Sequence, residues 1–290
     1  MIYKKVQGGT NMHKVKRGVL LPLSVFLAFF LSLPAWGQEA LVVAGSGDSQ
    51  ELLRKIAEAF EEAHPGVRVE VPESVGSSGG IRALDRGECD LARVARPLDE
   101  KEQAPGIHSR VFAYSPVVVA ANLPARCVDN LTPEQVVAVY SGKVTTWAGL
   151  GPCPDHKIYV ANREAGDSSR SVLEASLPGF GDIDDPVGKT LFSAPEAVEV
   201  LRRYPFTIGY LSSAMVPGPS LTVFSIDGRS PTPEQVGNGT YPLVSPFGLV
   251  WKGELSGLKR VFVEFLYGPA ARTIILSHGA IPAASLPGSR

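Results

Sequence analysis

The chain has 290 residues, of which 44% are hydrophobic and 20% charged. That balance excludes an intrinsically disordered chain and suits one large or two modest globular domains with a substantial core. The formal net charge is −1, but Lys4, Lys5, Lys14, Lys16 and Arg17 crowd the first residues; without residues 1–37 the count is 23 basic against 29 acidic, a net charge of −6. Nucleic-acid binding rests on a basic surface, so that class is disfavoured.

The basic cluster leads into GVLLPLSVFLAFFLSL and then PAWGQEA, with Ala35 and Gly37 at the −3 and −1 positions of a cleavage site. The apolar run of 16 residues falls short of the ~20 that span a bilayer. Residues 1–37 are therefore expected to be a signal peptide cut near Gly37/Gln38, which sends the chain to the periplasm or outside; an uncleaved anchor is the alternative. No cysteine stands at the end of the run, against a bacterial lipid anchor.

The chain beyond the leader begins strand, turn, helix. Val42 and Val43 lead into Gly45-Ser46-Gly47-Asp48-Ser49, and Leu52, Leu53, Ile56, Ala59 and Phe60 mark an apolar helix face that ends near His64-Pro65-Gly66. VRVEV at 67–71 reads as a second strand, followed by a helix opened by Gly76-Ser77-Ser78-Gly79-Gly80. CDLARVARPL is a short buried strand, and VFAYSPVVVAAN a strand too apolar for a surface loop. After Asn122, Thr132 is expected to cap a helix with Pro133 in its first turn and Gln135 closing a capping box. KIYVANREAGDSSRSVLEASL repeats strand, polar turn, helix; PFTIGYLSS is a further strand, and one last strand lies near Phe247 to Trp251. GLKRVFVEFLYGPAARTIILSHG reads as a single helix ended at Gly279. Alternating strands and helices predict an α/β fold with a mostly parallel sheet.

Three cysteines occur. Cys127 and Cys153, both in loop-like sequence, can pair in an oxidising exported compartment, while Cys89 reads as a small core residue. No Cys or His spacing suits a metal site.

Three strands end in Gly/Ser/Asp turns that open helices: 45–49, 76–80 and 166–170. Each offers free N–H groups, a positive helix-dipole end and short hydroxyls, the makings of a small-anion site. Arg163 precedes the third turn and adds a fork suited to a carboxylate or tetrahedral oxyanion. The plainer reading is that the serines and aspartates only cap helices. Gly76-Ser77-Ser78-Gly79-Gly80 also fits the nucleophile-elbow pattern of serine hydrolases, with Ser78 as nucleophile and Asp155 and His278 as nominal partners. Only two strands precede it once the leader is removed, fewer than such an elbow usually follows. His64, His108, His156 and His278 itself sit in loop or helix-end sequence and read as surface residues rather than catalytic bases.

GSSGGIRAL, CDLARVARPL, LTPEQVVAVYSGKVTTWAGLG, REAGDSSRSVLEASL, FTIGYLSSAMV, IDGRSPTPEQVGNGTYPLVSPFGLVWKGE and FVEFLYGPAARTIILSHGAIP occur in this order. Together they resemble the phosphate-binding proteins of bacterial phosphate ABC transporters (PstS-like). The resemblance covers essentially the whole chain after the leader. It implies the type II periplasmic-binding-protein fold: two α/β domains joined by two crossing strands, with a ligand cleft between them. Residues 38–118 with 242–290 would form domain I and 119–241 domain II. It further implies a non-catalytic solute-binding protein without a cofactor, a monomer that hinges shut on inorganic phosphate or a related oxyanion and delivers it to an ABC permease. Carried over position by position, the implied ligand residues are Ser46, Gly47 and Asp48; Ser77 and Ser78; Ala95 and Arg96; and Arg163, Asp167, Ser168 and Ser169.

Some positions depart from the family pattern. Asp48 stands where a hydroxyl residue is usual, Ala95 where Ser or Asp is usual, and Asp167 where a hydroxyl normally donates. A carboxylate beside a dianion repels it unless it accepts a hydrogen bond from a protonated oxyanion. Arg93 and Arg96 could offset the charge, or stand in a solvated loop or an interdomain ion pair. These departures leave open a diverged relative with another ligand or a sensing or adhesion role.

Overall fold

The computed structural model describes residues 39–216 and 220–283. The expected signal peptide and its cleavage position lie outside them. Strand β1 (Glu39–Gly45) leads to helix α1 (Gln50–Ala63), which buries Leu52, Leu53, Ile56 and Phe60 at helical spacing. Strand β2 (Val67–Glu70), helix α2 (Gly76–Asp85) and strand β3 (Leu91–Val94) follow. A long strand, β4 (Ile107–Ala121), leads to β5 (Asn130–Leu131) and α3 (Pro133–Tyr140). At α3 the expected capping box is formed: Thr132 Oγ1 accepts from Gln135 N at 3.2 Å, and Gln135 Oε1 accepts from Thr132 N at 2.9 Å.

Next come β6 (Tyr159–Arg163), α4 (Ser168–Ser176), β7 (Lys189–Leu191), α5 (Ala194–Arg203) and β8 (Thr207–Ser212). Short β9 (Thr222–Val223), β10 (Ser225–Ile226) and α6 (Pro233–Gly237) precede β11 (Val244–Lys252). The single C-terminal helix expected from sequence is two, α7 (Gly257–Phe265) and α8 (Pro269–Ser277), with β12 (Ile281–Pro282) after them. The break falls at Gly268-Pro269, because proline supplies no N–H to a continuing helix and restrains the residue before it.

The sheet path is β2-β1-β3-β11-β4-β8-β6-β7. Its wings are parallel, with β1 beside β2 and β3, and β6 beside β7 and β8. The centre is antiparallel, β11 lying between β3 and β4 and β4 beside β8. A chain that goes out along β4 and comes back along β11 has to lay these neighbours in opposite directions.

Two large cores result. One gathers Leu41, Phe60, Phe112, Phe247 and Phe262, with Phe60 edge-on to Phe262 at 5.1 Å. The other gathers Val117, Trp147, Phe180, Tyr210 and Tyr241. Strand β4 serves both, through Phe112 and Ala113 in the first and Val117, Val119 and Ala121 in the second. Cys127 and Cys153 form a disulfide beside the second core, and Cys89 is a buried free thiol.

The expected surface histidines are accounted for by packing. His64 stacks on Phe60, His108 on Trp251 and His156 on Phe206, and His278 Nδ1 lies 2.9 Å from the Ile274 carbonyl.

Candidate functional site: an anion cavity between the two cores

A cavity of about 260 Å³ is walled by β1–α1 turn and α2 residues from the side of the first core, and by β6–α4 residues from the side of the second. Ser46, Gly47, Asp48, Ser77, Ser78, Arg163, Asp167 and Ser168 all line it. The three Gly/Ser/Asp turns therefore converge. Helices α2 and α4 both begin in the lining, and their first-turn N–H groups have no acceptor within their own helices. Their dipoles add positive potential at one spot.

Capping alone does not explain the three turns. At α1 the cap position is Ser49, whose side chain makes no capping hydrogen bond and whose buried Oγ has no partner among the described residues. At α2 the cap position is Val75, which has no polar side chain to offer. Only α4 is capped by its turn, Asp167 Oδ1 accepting from Arg170 N at 3.1 Å. The serines instead join the two walls: Ser77 Oγ and Ser168 Oγ lie 2.8 Å apart, and Ser169 Oγ donates to Asp48 Oδ2 at 3.4 Å.

Arg163 supplies the charge. The residue is only 4% exposed; Nη2 donates to Asp167 Oδ2 at 2.5 Å and Nε to Leu191 O at 3.4 Å. Nη1 is buried and has no partner among the described residues. A buried cationic N–H without an acceptor is costly. Asp167 spends its carboxylate oxygens on Arg163 and on the α4 cap.

Asp48 is the unusual member. Burial, then the nearby Asp167 charge, push its carboxyl up to about 7, against the pull of Arg163 and the Ser169 hydroxyl. Its Oδ1 is buried without a partner among the described residues. Near neutral pH this group can carry a proton and donate it, or be ionised and accept one.

Three nominated residues lie elsewhere. Ser169 sits behind the lining on Asp48. Ala95 is buried behind Ser77, its N–H donating to Ser77 Oγ at 3.1 Å and its carbonyl accepting from Ser245 Oγ. Arg96 pairs with Glu102 at 2.7 Å and reaches Ser78 Oγ through Nη2, also at 2.7 Å. Its charge is consumed there rather than offered to the cavity.

Arg93 belongs neither to a solvated loop nor to an ion pair. It is fully buried and donates to the carbonyls of Ser46, Val43 and Pro72 and to Gln50 Oε1. Burial lowers its pKa to about 10, and it pins the first turn to the start of α1 and the end of β2. Sequence reading also missed Ser74, Arg82, Glu164 and Phe192 in the lining. Arg82 alone had a local signal, its place one helical turn after Ser78.

The nucleophile-elbow reading does not fit this geometry. Ser78 lies within the first turn of α2, not on a strand-to-helix corner. Its hydroxyl accepts from Arg96, and no histidine is among the described residues lining the cavity.

Residues 33–270 match the family model described as a PBP superfamily domain. The phosphate-binding protein PstS of Bacillus subtilis is 27% identical over 84% of this chain and 80% of its own length. A candidate phosphate ABC-transporter substrate-binding protein of Clostridium perfringens, solved with bound phosphate, superimposes with a TM-score of 0.76 at 26% identity, covering 84% of this chain and 99% of that one. An ABC-type phosphate transport receptor from Vibrio cholerae gives 0.65 at 27% identity, covering 83% and 99%. The chain belongs to the PBP superfamily and has the type II periplasmic-binding-protein fold.

Proposed function

We propose that this chain captures inorganic phosphate, or a closely related small oxyanion, outside the cytoplasmic membrane and passes it to an ABC-transporter permease without catalysing a reaction. The observation that carries the reading is Arg163 Nη1, a buried cationic donor without a partner among the described residues, placed where helix N-termini from both walls converge. Residues 1–37 would be the export signal, and the processed chain a monomer. Residues 38–118 with 242–290 and residues 119–241 would be two lobes that close on the ligand, since the cavity draws its wall from both. The phosphate-bound relative supports the choice of ligand.

Asp48 deepens this reading. Above about pH 7 it is ionised and can be satisfied only by an oxyanion that still carries a proton. Phosphate does in this range and sulfate does not. Below that pH, Asp48 brings its own proton and can donate to either anion, so selectivity for phosphate should grow as pH rises.

A second reading keeps the anion site and adds an organic substituent to the ligand. It is favoured by Val75 and Phe192, both lining the cavity and 56% and 66% exposed at its mouth. Calorimetric titration of the chain, freed of ligand by unfolding and refolding, against phosphate, sulfate, molybdate and a small alkyl phosphonate tests both. Phosphate binding that sulfate does not compete away at alkaline pH is the expected result. Tighter binding of the phosphonate would favour the second reading, and no heat with any of the four would overturn both.

A further inference from the structure

A hollow of about 780 Å³ lies apart from the anion cavity, at the opposite end of β6. Tyr159 and Thr207, in its lining, are the first residues of β6 and β8, whereas Arg163 of the anion cavity ends β6. Four residues of extended strand separate the two, or about 13 Å. The hollow is therefore a distinct site.

Its chemistry is of two kinds. Val139, Val144, Ile158, Val160, Val187 and Val200 make an apolar bed. Around it stand Tyr159, Val187 and Tyr204, which are 54%, 38% and 50% exposed. Single exposed apolar side chains are ordinary, but several around one concavity mark a surface meant to be covered.

The polar groups all point to one charge sign. Lys157 and Lys189 line the hollow, and among the described residues no carboxylate does. Lys157 Nζ lies 5.8 Å from the Tyr159 ring, and Lys189 meets only a long, exposed contact to Glu196 at 3.7 Å. On a chain with an acidic excess beyond residue 37, two lysines over an apolar bed are a local reversal. Thr207 adds the second observation. The residue lines the hollow and is only 3% exposed, and its Oγ1 has no hydrogen-bond partner among the described residues. A buried hydroxyl left this way calls for a polar atom from outside the chain.

We propose that this hollow is a second ligand site, for a small amphipathic organic anion with an apolar ring or chain and one carboxylate or sulfonate head. The apolar body would lie on the valine bed between Tyr159 and Tyr204, its head facing the lysines and the Thr207 hydroxyl. The site is independent of the anion cavity, and nothing in it requires a doubly charged tetrahedral ligand.

The test uses the full chain and two probes with the same rings: anilinonaphthalene sulfonate, followed by its fluorescence, and the uncharged phenylnaphthylamine. The sulfonate should bind one saturable site and bind it more tightly than its neutral counterpart. The double change Lys157→Gln and Lys189→Gln should weaken sulfonate binding about tenfold and leave the neutral probe unchanged. Thr207→Val, which keeps the side-chain shape, should weaken the sulfonate about fivefold. Val187→Trp should abolish binding of both by filling the bed.

Each variant is first checked for an unaltered cooperative urea transition, so that dye bound to a loosened chain is not counted. Equal affinity for both probes, sulfonate binding indifferent to the lysines, or binding that survives Val187→Trp in a normally folded chain would each overturn the proposal. Phosphate titration of the same variants should be unchanged, and loss of phosphate binding there would contradict the independence of the two sites.

Discussion

Replacing Asp48 by Asn tests the anion cavity most directly, because the two side chains have one shape and differ in charge. In the ligand-free chain the Asp48 carboxyl moves from 3.8 to about 7. The folded state thus holds a proton that the unfolded state releases earlier, and this residue's contribution to stability falls as pH rises from about 4 to about 7. At 1.36 kcal/mol per unit the full loss is on the order of 4 kcal/mol. Asn cannot titrate. The unfolding free energy of Asp48→Asn minus that of the parent should therefore rise by roughly that amount between pH 4 and pH 8, whatever constant offset the altered Ser169 hydrogen bond adds. Urea unfolding of both chains at stepped pH, without oxyanion, measures this difference. A difference that stays flat across the window would refute the claim that burial and Asp167 raise the Asp48 pKa. The same variant tests selectivity. At pH 8 the Asp48→Asn chain no longer repels a fully ionised anion, so phosphate should weaken by about 10- to 100-fold while sulfate gains, as expected when a charged hydrogen bond is lost. An unchanged phosphate-to-sulfate ratio would remove Asp48 from the recognition scheme.

Arg163→Gln should reduce phosphate affinity by about 100-fold or more, because it removes the free buried donor and leaves Asp167 without its cation; titration calorimetry reads the loss, and weakening of less than fivefold would contradict the central role of Arg163. Arg93→Met should lower stability by about 3 kcal/mol or more, since four acceptors, three of them buried, lose their donor, as seen in urea unfolding. Reducing the Cys127–Cys153 bridge, whose partners are 26 residues apart, should lower unfolding free energy by about 3.5 kcal/mol in the chain-entropy treatment without altering phosphate affinity. Gly80→Ala should misplace the start of α2, because a Cβ there would lie 2.6 Å from Gly45 Cα and 2.9 Å from Ala44 O. The expected readout is weaker phosphate binding in a chain that remains folded.

What the sequence disclosed was the locally encoded part. The Thr132–Gln135 capping box is written within four residues and forms as expected. The three Gly/Ser/Asp turns that meet at the cavity could be found because glycine and hydroxyl residues between a strand and a helix have a short-range meaning. The break between α7 and α8 was also local, in the Gly268-Pro269 pair, but the apolar periodicity on either side masked it. The antiparallel centre could not be read this way, since it depends on β11 inserting between strands far from it in the chain. Arg93 and Asp48 were both singled out in the sequence, but their environments were not legible there for a related reason. Each draws its character from groups brought near only by folding: four acceptors from separate segments for Arg93, and for Asp48 the Asp167 carboxylate on the opposite wall.

The hydrogen bond from Val117 N to Leu243 O, 2.8 Å long, places side by side the two points at which the chain departs for its second core and comes back. On the proposed two-lobe division, residues 119–241 would be a cassette inserted between these two points. Arg163, Asp167 and Ser168 travel with the cassette, while Ser46, Asp48 and Ser77 stay with the host. Exchange of that cassette between superfamily members would recombine two halves of one recognition site without lengthening or shortening either junction. Such a graft would have to match the contacts that cross between the two, among them Ile281 against the second core, Ala214 against the first and the Ser115–Ser212 hydrogen bond.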